Sequence, residues 1–153
     1  MPAYGRGMTF DPALITGSFA VVEPHGTKIT KYFYEHLFDN NPGVRGLFAR
    51  HMEEQEDRLW NALGGLVANL QDTEVVVRML RGLGARHVGY GALPEHFPAV
   101  GASLLATLRH FAGEAWTPEI EESWTALYGV ITTTMSEAMA ETAAGTAGST
   151  HSG

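Results

Sequence analysis

From residue 11 onward, apolar residues recur every three or four positions, and the pattern is broken at intervals by proline, glycine and asparagine. Leu14, Phe19, Val21 and Val22 mark a helix over 11–23 that stops at Pro24. Ile29, Tyr32, Phe33, Leu37 and Phe38 mark a second over 26–39, closed by Asn40-Asn41-Pro42-Gly43. A short turn over 44–48 follows, and then Met52, Leu59, Leu63, Leu66 and Leu70 stripe a helix over 52–70. Asp72-Thr73 offers a cap for a helix over 74–90 whose stripe is Val76, Met79, Leu80 and Leu83. Another begins at Pro94 or Pro98 and carries Val100, Leu104, Leu108 and Phe111. Thr117 caps the last helix, with Pro118 in its first turn and a stripe of Ile120, Trp124, Leu127, Tyr128, Ile131 and Met135. Nothing alternates with the period of a strand. The expected fold is all-α, with six or seven helices of unequal length. That unevenness suits steep crossings that leave a pocket better than an even four-helix bundle.

The ends differ from the middle. Residues 1–9 read as a loose arm, 10–141 as one domain, and 142–153 (TAAGTAGSTHSG) as a disordered tail or linker stub, because they offer nothing to bury. At 153 residues and 44% hydrophobic, the chain can build a substantial core without staples. It has no cysteine. That excludes disulfides, thiolate metal sites, Fe–S clusters and thioether-attached haem or bilin, and it fits a reducing cytosol.

The net charge is −7, from 17 acidic and 10 basic side chains, and no basic cluster is present to displace counterions from phosphate. The run Glu53-Glu54-Gln55-Glu56-Asp57-Arg58 is mostly acidic and would be repelled by an anionic bilayer. Met1 to Met8 lacks the apolar core of a signal peptide, and no apolar run approaches the roughly 18 residues of a membrane span. The reading is a cytoplasmic protein with neither nucleic-acid nor membrane partners.

Polar residues lying on apolar stripes carry the chemistry. His87 extends Val76–Leu80–Leu83 by one turn. One reading is a buried histidine satisfied by a carbonyl. The other is a metal ligand, favoured by Gly82, Gly84, Gly89 and Gly91 nearby, whose bare backbone would admit a broad flat ligand. Gln55 lies on the Met52–Leu59–Leu63 stripe; it is either a surface residue or an amide donor facing a pocket. Tyr34, within Tyr32-Phe33-Tyr34, is either an ordinary core tyrosine or a buried hydroxyl that serves a ligand. His25, His36, His51, His96, His110 and His151 sit beside charged or loop residues and read as solvated. No glutamate has a histidine three residues on, which argues against a di-iron carboxylate bundle.

The segments TKYFYEHLFDNNPGVRGLF (30–48), EEQEDRLW (53–60), LGARH (83–87), LPEHFPAVGASLLATL (93–108) and ESWTALYGVI (122–131) together resemble bacterial single-domain haemoglobins and the globin domain of flavohaemoglobins. The resemblance spans about residues 12 to 140. It implies a three-on-three globin fold enclosing b-type haem (Fe-protoporphyrin IX). His87 would be the proximal iron ligand, Phe48 the aromatic wedged against the porphyrin, Tyr34 the distal tyrosine, Gln55 the distal gate and Leu59 a cover over the ligand. It further implies reversible binding of O2, NO and CO at a pentacoordinate iron, by a monomer or homodimer. Tyr34 and Gln55 would donate hydrogen bonds to the bound ligand and slow its release.

Two departures from the family pattern bear on activity. The family's proximal tyrosine and glutamate are replaced by Phe97 and Met139, and Glu137 should face elsewhere. A histidine without a carboxylate partner is a weaker donor to iron, so less peroxidase-like character and a higher reduction potential are expected. No flavin- or nicotinamide-binding segment follows residue 140. A nitric-oxide dioxygenase reaction would therefore need an external reductase, unless these residues are the globin part of a longer protein. The competing reading is a non-enzymatic oxygen carrier, store or gas sensor.

Overall fold

The structure, a computed structural model, describes residues 10–47, 52–89 and 94–152. Six α-helices account for most of them: α1 (Pro12–Val22), α2 (Thr27–Asn40), α3 (Glu53–Ala68), α4 (Thr73–Gly89), α5 (Phe97–Ala112) and α6 (Pro118–Ser152). There is no strand among the described residues. Single turns of 3-10 helix make the corners at Glu23–His25, Pro94–His96 and Gly113–Ala115, and a longer one runs over Pro42–Leu47.

Helix starts follow local chemistry. Asp11 accepts a hydrogen bond from the Ala13 amide at 2.9 Å, Asp72 from Val75 at 3.3 Å and Thr117 from Ile120 at 3.2 Å. Each satisfies an amide that the first turn leaves without a partner. Both prolines near 94–98 are used: the 3-10 turn begins at Pro94, and Pro98 lies in the first turn of α5. Gly26 and Gly113 take φ of +57° and +55°, a left-handed backbone that lets the chain turn into α2 and α6.

The main core joins Ile15, Phe19 and Val22 of α1 to Ile29, Leu63, Val67, Leu108, Trp124 and Leu127. Trp124 is buried, and its indole N–H donates to Ser18 Oγ at 2.8 Å. Ser18 in turn donates to the Leu14 carbonyl at 2.7 Å, so this polar pair is satisfied within the core.

Two glycines set helix crossings. A Cβ on Gly84 would stand 2.6 Å from the Met135 carbonyl oxygen and 3.0 Å from Ala138 Cβ, so α4 rests backbone-close on α6. A Cβ on Gly101 would meet the Tyr128 ring at 2.5 Å, so α5 admits that ring only because the position is bare. At the C-terminal end α6 runs through to Ser152, across the residues from 142 on that the sequence reading set apart as a tail. The alanines at 138, 140, 143 and 144 are strong helix formers and carry the helix forward once Ala138 and Met139 are buried.

Candidate functional site

Tyr34 lies in a second apolar cluster, built on Phe33, Tyr34 and Leu37 of α2. Phe38, Val44, Met52, Leu59, Ala99, Val100 and Leu104 pack around it. Tyr34 is 5% exposed. Burial pushes its hydroxyl up to about 12; the hydrogen bond from Gln55 opposes the shift, and the nearby Glu56 charge adds to it. The phenol is therefore a neutral donor throughout the physiological range. Gln55 Nε2 donates to the Tyr34 oxygen across 3.4 Å, a long bond from the first turn of α3. Leu59, one turn further along α3, packs on the same cluster. The structure thus brings Tyr34, Gln55 and Leu59 together. Phe48 lies outside the described residues.

His87 is half-buried near the end of α4. Its Nδ1 lies 2.6 Å from the Leu83 carbonyl oxygen, one turn back. A carbonyl only accepts, so Nδ1 carries the hydrogen and the lone pair resides on Nε2. Burial holds the imidazole below its usual pKa, partly offset by the Leu83 bond and reinforced by the neighbouring Arg86 charge. The ring is therefore neutral near pH 7. Both sequence readings of His87 are accommodated: a carbonyl satisfies one nitrogen, and that same bond orients the other.

Gly84 is bare where α6 lies against it, which accounts for that glycine by helix packing, and a Cβ on Gly82 would meet only the Arg86 side chain, at an ordinary 3.6 Å. Gly89 has no described side-chain surroundings and Gly91 lies outside the described residues.

Leu83 and Phe97 pack on a third cluster, of Leu66, Val76, Leu80 and Met135. Met139 is buried and Glu137 exposed, so they occupy different faces of α6, as expected. The start of α5 adjoins both clusters: Phe97 touches the one on α4, while Ala99 and Val100 touch the one around Tyr34. The first turns of α5 thus join the cluster on α4, the helix that carries His87, to the cluster around Tyr34.

Three features escaped the sequence reading. Tyr128, read only as part of a stripe, donates its hydroxyl to the Phe97 carbonyl at 2.7 Å, and burial raises its pKa. Its signal was Gly101, a glycine inside a helix of otherwise good formers. Glu56, read only as part of an acidic run, is 8% exposed and bonded to Lys31 Nζ at 3.1 Å. It lies four residues after Met52 and three before Leu59, on the buried stripe. His36, read as solvated, is half-buried with Nδ1 2.8 Å from the buried Ser103 hydroxyl. Among the described residues no three His, Cys, Asp or Glu side chains are grouped to hold a metal ion. No described helix is long and apolar enough to cross a membrane.

A protein-family model described as globin matches residues 31–135. The flavohemoprotein of Bordetella pertussis is 32% identical over 120 residues, covering 76% of this chain and 30% of that protein. The flavohemoprotein of Bacillus subtilis is 31% identical over 121 residues, covering 77% and 30%. The chain spans under a third of the length of these curated relatives. A bacterial globin from Campylobacter jejuni shares the fold, with a TM-score of 0.74 over 85% of this chain and 94% of that one, at 22% identity.

Proposed function

This chain belongs to the globin family, and from that premise we propose that it holds haem through His87 and binds diatomic gases beside Tyr34 and Gln55. The observation that carries the proposal is the Tyr34–Gln55 pair, two hydrogen-bonding side chains meeting in an otherwise apolar cluster. Such a pair is suited to a small polar ligand rather than to packing alone.

The donor set fits haem. His87 supplies one neutral imidazole with its lone pair on Nε2, which suits a metal arriving with its other ligands in a macrocycle. The 153 residues contain no cysteine, so the group would be held without thioether bonds, as b-type haem is. Haem, when bound, supplies a reducible iron that takes O2, NO or CO. Leu83 fixes the His87 ring through Nδ1. Tyr34, kept protonated by burial, donates a hydrogen bond toward the ligand, and Gln55 orients the phenol. Leu59 and Val100 limit water at the same place. The reaction this arrangement suits is O2-dependent oxidation of NO to nitrate, with electrons from an external reductase in the cytoplasm.

A second reading, reversible oxygen carriage, storage or sensing, is favoured by Phe97 and Met139, which stand where the family pattern has the tyrosine and glutamate that strengthen the imidazole as a donor.

The first test is optical. The purified chain, reconstituted with haem, should show a Soret band and bind O2 and CO in the ferrous state. His87→Ala should lose haem or show an altered spectrum restored by added imidazole. A wild-type spectrum in His87→Ala would remove the ligand assignment, and no Soret band in the parent chain would remove the whole reading.

A further inference from the structure

Glu56 is the only charged residue buried among the described residues. A carboxylate in such a place is unfavourable unless a cation and hydrogen bonds hold it. Its partner, Lys31, lies on α2 three residues before Tyr34, while Glu56 itself follows Gln55 on α3. The Lys31–Glu56 bond, at 3.1 Å, therefore ties the two helices within one turn of the place where Gln55 reaches Tyr34 at 3.4 Å. Lys31 is 57% exposed at its side chain and Glu56 only 11%, so the pair is anchored on the α3 side and reached from solvent on the α2 side.

We propose that Glu56, clamped by Lys31, is a positioning residue that fixes α2 against α3 so that Gln55 and Tyr34 meet. The proposal rests on the ligand-binding reading above and adds a determinant of ligand release to it. Removing Lys31 leaves a buried carboxylate without its cation, which drives Glu56 to turn outward. That change moves the first turn of α3, and Gln55 with it. The negative charge of Glu56 also disfavours the Tyr34 phenolate, which keeps the phenol a donor.

The test uses the haem-loaded chain and the variants Lys31→Met, Lys31→Arg and Glu56→Gln. Lys31→Met and Glu56→Gln should raise the O2 dissociation rate about threefold or more, as expected for a hydrogen bond weakened but not lost. They should also shift or split the C–O stretching band of the CO adduct, while Lys31→Arg keeps both close to the parent values. Because Lys31 is exposed, Lys31→Met should fold even if Glu56→Gln does not. A parallel readout needs no haem: 3-fluorotyrosine at position 34 should change its fluorine resonance in Lys31→Met and not in Lys31→Arg. Parent-like off-rates, C–O bands and fluorine shifts in Lys31→Met would overturn the clamp. A fluorine shift in a chain that takes up no haem would uphold the clamp while removing the ligand-binding reading.

Discussion

At the scale of single residues, the proposed ligand site makes the Tyr34 hydroxyl the main determinant of ligand release. In that reading its hydrogen bond would go to a group that gains negative character on binding, so deleting it should cost more than a neutral bond of the same length. Tyr34→Phe should raise the O2 off-rate about tenfold or more, read by stopped-flow displacement with CO. An unchanged rate would place the ligand elsewhere. The same residue carries a pH signature. Folding raises its pKa from 10.0 to about 12, so the folded state binds a proton that the unfolded chain releases first. That contribution to stability is complete below pH 10 and is lost as pH rises through about 12. Urea unfolding across this window should show a steeper alkaline loss in the parent chain than in Tyr34→Phe. Tyr34 and Gln55 stood out in the sequence as polar residues on or beside apolar stripes, and the structure brings them together; His87 stood out in the same way, whereas Leu59 was marked only by the family resemblance. Glu56 did not stand out, because it was read only as part of an acidic run, and only the approach of Lys31 from another helix explains one buried member.

At the scale of helices, the 3.6-residue period located all six, with most ends displaced by a residue or two where capping geometry decides and the end of α6 lying about ten residues further on. What periodicity does not carry is how close two helices come. Four glycines around His87 read alike in sequence, yet Gly84 meets α6 while Gly82 has room. The two alanine substitutions should therefore act in opposite directions. Gly82→Ala gains helix propensity with no clash and should stabilise by up to about 1 kcal/mol. Gly84→Ala drives a methyl into the Met135 backbone, which no side-chain rotation relieves. It should destabilise by about 1–3 kcal/mol and, by tilting α4, weaken haem retention. Denaturant midpoints and haem transfer to an acceptor protein measure both. Equal effects would mean that the glycines serve a common ligand face after all. Tyr128 was hidden for the same reason: its hydroxyl reaches the Phe97 carbonyl only because Gly101 lets the ring lie against α5.

For the whole molecule, the issue is electron supply. Converting O2 and NO to nitrate consumes one electron for each nitrate formed, and the described residues form a helical globin fold with no strand to build a flavin- or nicotinamide-binding sheet. The curated relatives are more than three times as long as the part of them this chain matches. Electrons must then reach the 153-residue chain from another protein or another segment. A reduced, oxygenated sample of these residues mixed with excess NO should yield at most one nitrate per haem and then stop. Adding a flavin reductase with NADH should restart nitrate formation at a rate that depends on reductase concentration. Restarted turnover would favour the dioxygenase reading. A single burst that no reductase extends would favour carriage or sensing, in keeping with Phe97 and Met139 in place of the family's tyrosine and glutamate. Sustained nitrate formation with no added donor would contradict both, because each nitrate needs one electron and a protein centre that is not itself re-reduced supplies electrons only stoichiometrically.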